Sequence, residues 1–273
     1  MRLVAVAYLV VLLVMLLLEN TLLYPAPRYP LGDWEAADLV HENVWFTSLD
    51  GTKLHGWYVE HPQPRAVVLY AHGNGENVAY LTPFLKLLRD DLRLSVFAFD
   101  YRGYGRSEGS PNEKGILEDG TAAHLWLAER AGKRPDEIVL MGRSLGGAVA
   151  VDLAARNGAR GLVVQNTFTS LPDAAARIYP WAPVHWLMKN RYDSVSKIGL
   201  YQGPLLASHG TSDTLVPYEL GRKLFDAAPG PKEFFTIDNG DHNQAEAREY
   251  YEVLDRWLDS LDGAADRNFP SAK

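Results

Sequence analysis

The chain of 273 residues contains no cysteine. That excludes a disulfide scaffold, a thiolate nucleophile, Cys-based zinc sites and iron–sulfur clusters. There is no run of Lys and Arg, and 27 basic against 34 acidic side chains leave a formal net charge of −7. An acidic balance without a basic patch argues against nucleic acid as a partner. No internal repeat or low-complexity tract is present. What remains is globular: 47% of the residues are hydrophobic, in a chain long enough to bury a core without covalent staples.

The apolar residues are unevenly spread. Residues 3–18 form an unbroken run of 16, and residues 3–23 would extend roughly 30 Å as a helix. This predicts a transmembrane anchor over residues 1–24. The rivals are a cleaved signal peptide and a buried helix, but the stretch from Glu19 to Pro25 offers no small-x-small cleavage site. Arg2 before the run, and Glu19, Arg28, Asp33 and Glu35 after it, mildly favour a single-pass protein with its bulk on the extracytoplasmic side.

Residues 25–39, with Pro25, Pro27 and Pro30, read as a linker. From residue 40 a hairpin turns at Asp50-Gly51, and short apolar strands then alternate with helical stretches. Strands are expected at 66–70, 94–99, 138–141, 161–164, 204–208 and 233–237. Helices are expected at 77–89, 113–131, 145–157, 217–227 and 243–261. Strands apolar throughout and separated by helices imply a mostly parallel sheet covered on both faces. The domain therefore spans 40–261, and residues 262–273 read as a disordered tail. The long connection 166–200, rich in Trp and Pro, reads as a lid-like segment.

Gly142-Arg143-Ser144-Leu145-Gly146 follows an expected strand and opens an expected helix. This is the strand–turn–helix setting of a G-x-S-x-G nucleophile elbow, in which small neighbours let a serine sit on a sharp turn with its hydroxyl exposed. A serine needs a base. Of the eight histidines, His242 lies on a loop between the last strand and the last helix, at the same sheet edge as Ser144. His41, His55, His61, His124 and His185 read as solvated or packed. His209 ends a strand, a placement near the site, but Gly210 beside it suggests a tight turn instead. The base needs an acid. Asp213 follows a strand and precedes a helix, 69 residues after Ser144 and 29 before His242. Its rivals are Asp193 in an irregular stretch and Asp241, adjacent to the histidine.

An oxyanion requires two aligned N–H donors. Leu145, directly after the serine, supplies one amide, and Asn74 between Gly73 and Gly75 supplies the other. His72 has no second ligand at metal spacing and reads as structural, so neither metal nor cofactor is expected. The stretch from Asp100 to Ser107, with Arg102 and Arg106, reads as a loop held by an internal ion pair.

Together, His72-Gly73-Asn74, Asp100 to Gly105, Gly142 to Gly147, Asp193-Ser194, Gly210 to Asp213 and Gly240-Asp241-His242 resemble the α/β-hydrolase superfamily. More narrowly they resemble its single-pass membrane-anchored serine hydrolases, related to the prolyl-aminopeptidase-like and acyl-thioesterase-like branches. The resemblance covers about residues 40–261. It implies an α/β-hydrolase fold with an eight-strand, mostly parallel sheet, and a triad of Ser144, Asp213 and His242. Arg143 at the first x of the elbow is typical of the narrower group. The expected activity is hydrolysis of an ester or thioester, or an amide, in a small-molecule or lipid-like acyl substrate. The alternatives are a prolyl-aminopeptidase-type peptidase and a non-catalytic membrane-tethered binding protein.

Overall fold

The computed structural model describes residues 1–244 and 247–265. Its first feature departs from the expected anchor. The apolar run forms helix α1 (Arg2–Leu17), breaks at Leu18, and resumes as α2 (Glu19–Leu23). The break coincides with a long-range tie, because the Glu19 carboxylate accepts hydrogen bonds from the backbone N–H groups of Lys189 and Asn190. A 16-residue helix is about 24 Å long, short of the roughly 30 Å hydrocarbon core. Among the described residues, no helix is long and apolar enough to cross a membrane.

Residues 25–39 pack against the domain. The backbone N–H of Tyr29 donates to Gly105, while Ala36 and Leu39 join a buried cluster. Next come β1 (Glu42–Thr47), β2 (Lys53–Val59), β3 (Ala66–Ala71), α3 (Thr82–Asp90), β4 (Leu94–Phe99), α4 (Glu113–Ala131) and β5 (Val139–Arg143). They are followed by α5 (Leu145–Asn157), β6 (Gly161–Gln165), α6 (Leu171–Ile178), α7 (Val184–Leu187), α8 (Ser194–Ile198), β7 (Leu205–Gly210), α9 (Tyr218–Ala227), β8 (Lys232–Ile237) and α10 (Arg248–Ala265).

The eight strands form one sheet in the order β1-β2-β4-β3-β5-β6-β7-β8. The β1–β2 and β2–β4 pairs are antiparallel and the remaining pairs are parallel. Successive side chains point to opposite faces, so β3 feeds two cores. Val67, Leu69 and Ala71 pack with α4 and α5 residues such as Leu127 and Val149. Val68 and Tyr70 pack with Leu85 of α3 and with Trp257 and Leu258 of α10.

Two helices differ from expectation. The stretch 77–89 is divided, with a short 3-10 turn at Val78–Tyr80 and α3 beginning at Thr82. Pro83 lacks an N–H and is accommodated in the first helical turn, which sets the new start. The last helix begins at Arg248 and continues to Ala265, past the expected end at 261. The expectation of a disordered tail otherwise falls on residues 266–273, which lie outside the described residues.

The loop after β4 is held differently from the expected internal ion pair. Arg102 reaches out to Asp119 at 2.8 Å and Asp50 at 2.7 Å. Asp100 accepts from the Val78 backbone N–H and pairs with the buried His55 ring at 3.1 Å.

Candidate active site

Ser144 sits between β5 and α5 with φ of +52°, a left-handed conformation that non-glycine residues rarely adopt. Such backbone costs on the order of 1–3 kcal/mol and persists only where its surroundings enforce it. The two glycines of the elbow show how. A Cβ on Gly142 would stand 2.1 Å from the Gly146 carbonyl oxygen, and one on Gly146 would stand 1.9 Å from that of Ala71. Neither position tolerates a side chain. The Ser144 amide donates to Gln165 at 2.9 Å, and the Thr167 hydroxyl donates to the Ser144 carbonyl at 2.8 Å.

The structure brings Ser144, His242 and Asp213 into one row. His242 Nε2 lies 3.1 Å from Ser144 Oγ, and His242 Nδ1 lies 2.7 Å from Asp213 Oδ2. The carboxylate can only accept, which assigns the proton to Nδ1 and leaves the Nε2 lone pair facing the hydroxyl. Asp213 Oδ1 accepts from the amides of Leu215 and Val216. Burial works to raise the Asp213 pKa. Hydrogen bonds from His209, His242 and the Val216 amide outweigh it, so the carboxyl is held well below the usual aspartate range.

The rival aspartates are occupied elsewhere. Asp193 caps α8 through the Ser196 amide. Asp241 accepts from the His242 backbone N–H and from Thr214, away from the imidazole.

Leu145 is the first residue of α5, so its N–H has no acceptor within the helix. The Asn74 side chain donates from Nδ2 to the Leu23 carbonyl at 2.7 Å and accepts from the Tyr104 hydroxyl at 2.6 Å. Both polar ends of that side chain are thus engaged. Asn74, Ser144 and Leu145 line the same cavity, of about 370 Å³. His72 is buried, donates from Nδ1 to the Gly73 carbonyl and stacks on Tyr101 with ring centroids 4.3 Å apart. Among the described residues, no group of three or more His, Cys, Asp or Glu is placed to hold a metal ion.

Three contributors escaped the sequence reading. Arg143 donates to the His242 carbonyl and pairs with Glu76, whose carboxylate in turn accepts from the Gly73 amide at 2.9 Å. Asn166 also donates to the His242 carbonyl, at 3.1 Å, and accepts from the Gly210 amide. His209, set aside above for its tight turn, is fully buried with Nε2 3.2 Å from Asp213 Oδ2. Strand-end placement was the signal available for His209 and Asn166. For Arg143 there was only its position inside the elbow.

Known proteins resemble this chain. The family described as serine aminopeptidase, S33, matches residues 62–200, half of the chain. An uncharacterized protein of Mycobacterium tuberculosis strain H37Rv is 34% identical over 239 residues, covering 87% of this chain and 85% of the relative. The chain belongs to the S33 serine aminopeptidase family. Another relative is the uncharacterized protein YfhR of Escherichia coli K12, 33% identical over 236 residues, covering 83% of this chain and 80% of that one. An esterase of Pyrococcus furiosus superposes with a TM-score of 0.73 at 21% identity, covering 87% of this chain and 97% of the esterase. At that identity the likeness establishes the fold. This S33 member has the α/β-hydrolase fold and is a hydrolase by family.

Proposed function

We propose that this protein is a serine hydrolase that cleaves carboxylic esters or thioesters through an acyl-enzyme on Ser144. The observation that carries the reading is the continuous row from Asp213 through His242 to Ser144 Oγ, with separations of 2.7 and 3.1 Å. His242 Nε2 takes the hydroxyl proton as Ser144 Oγ attacks the carbonyl carbon. The oxyanion forms against the amides of Leu145 and Asn74. The imidazolium, stabilised by Asp213, passes its proton to the leaving alcohol or thiol as the C–O or C–S bond breaks. Water then adds to the acyl-enzyme by the same route, giving up a proton to His242, and the acid leaves as Ser144 is restored. Every step uses side chains and amides of this chain.

The cavity favours an acyl group over the free N-terminus of a peptide. An aminopeptidase must hold an ammonium group, and Glu19 is the one charged side chain among the residues lining the cavity. Its oxygens already accept from Lys189 and Asn190. The remaining lining is almost entirely aliphatic and aromatic. The strongly exposed outer face of α1, including Leu3, Val4, Leu9 and Leu17, supports seating that helix in a lipid bilayer. Flotation of the full chain with phospholipid vesicles tests this part; protein left in the dense fraction would count against it.

The test of the activity is p-nitrophenyl ester hydrolysis by the wild type and by Ser144→Ala. The expected result is turnover in the wild type and a loss of at least a thousandfold in the variant. Equal turnover in both would refute the assignment.

A further inference from the structure

The apolar cavity above Ser144 has one wall that does not come from the hydrolase domain. Met15, Leu16, Leu22 and Leu23, on α1 and α2, line it together with Ile178 and Leu187 of the lid-like segment. These helices are fastened at defined points. Glu19 binds the backbone at Lys189 and Asn190, the Leu23 carbonyl accepts from Asn74, and the Tyr8 hydroxyl donates to the Trp181 carbonyl at 3.0 Å. Tyr24, directly after α2, is buried and donates to Asn190 at 2.8 Å. The N-terminal segment is therefore docked beside the serine and forms one side of a half-open aliphatic cleft that reaches the nucleophile.

We infer that the N-terminal helices form the specificity-determining wall of an acyl pocket, and that the preferred substrate is an ester or thioester of a medium-chain carboxylic acid. This rests on the serine hydrolase reading of Ser144. The cavity of about 370 Å³ has room, at roughly 30 Å³ per water-sized group, for about twelve chain atoms. That matches an acyl chain of about eight to twelve carbons with its carbonyl at Ser144. Each methylene taken from water into such a lining is worth about fourfold in affinity. Met15 and Leu16 are half-buried on the cavity side of α1, so enlarging them shortens the space without touching the serine or its histidine.

The experiment uses the full chain and p-nitrophenyl esters of two, four, eight, twelve and sixteen carbons. For the wild type, kcat/KM rises at least thirtyfold from acetate to a maximum at eight to twelve carbons and falls at sixteen. In Met15→Trp and Leu16→Trp the octanoate-to-acetate ratio of kcat/KM drops at least tenfold, while Met15→Leu keeps it within about threefold of wild type. A flat or declining wild-type series, or an unchanged ratio in both Trp variants, overturns the pocket even where acetate hydrolysis remains dependent on Ser144. The wild-type series decides the question on its own if the Trp variants do not fold. Failure of the hydrolase reading itself looks different: no ester of any length is turned over and Ser144 takes no covalent label.

Discussion

Glu76 and Arg143 pair at 3.4 Å between the loop after β3 and the nucleophile elbow. Each partner holds something else. Glu76 accepts from the Gly73 amide, next to Asn74, and Arg143 donates to the carbonyl of His242. The pair thus joins the loop that carries Asn74 to the loop that carries His242. Arg143→Gln should lower kcat about tenfold with little change in KM, because it disturbs the position of reacting groups and not the acyl pocket. Steady-state kinetics on a p-nitrophenyl ester checks this. A change confined to KM would show that Arg143 acts on substrate binding instead.

Asp213 carries two predictions. Replacing it with Asn removes the charge that fixes the His242 tautomer, and should cost about three to four orders of magnitude in kcat. The second concerns acid stability. The folded carboxyl titrates below its unfolded value of about 3.9, so the stabilisation is fully present above that pH. It is lost as pH falls toward the folded pKa. Denaturant titrations between about pH 5 and 2 should show the wild type losing stability more steeply than Asp213→Asn. Parallel curves would contradict the depressed pKa.

Arg102 joins two aspartates of very different exposure. Asp119 is fully buried, whereas the Asp50 side chain is 43% exposed. Removing a buried partner strands a charge, so Asp119→Ala should destabilise the fold by about 3–5 kcal/mol. Asp50→Ala, losing a solvent-screened partner, should cost far less. Equilibrium unfolding of the two variants separates these values, and equal losses would mean that burial does not set the strength of this pair.

The sheet was legible because its strands are apolar throughout and alternate with helical stretches. Ser144 was legible for a steric reason: only glycine fits at 142 and 146, and that requirement leaves a mark in the sequence. Asp213 stood apart from Asp193 and Asp241 through its place after a strand and before a helix. The failures share a cause of another kind. The helix break at Leu18 accompanies contacts from Glu19 to residues about 170 positions away. Arg102 looked like a partner for its own loop because Asp119, on α4, is remote in the pattern. His209 looked like a turn residue, although its ring meets Asp213 four positions along. Local periodicity carries no information about such meetings.

The proposed serine hydrolase requires Ser144 to be the nucleophile. Its most direct test is incubation of the full chain with a fluorophosphonate, followed by mass mapping of the labelled peptide. A single phosphonyl adduct on Ser144 is expected, absent from Ser144→Ala and strongly slowed in His242→Ala. Undiminished labelling of Ser144→Ala would contradict it.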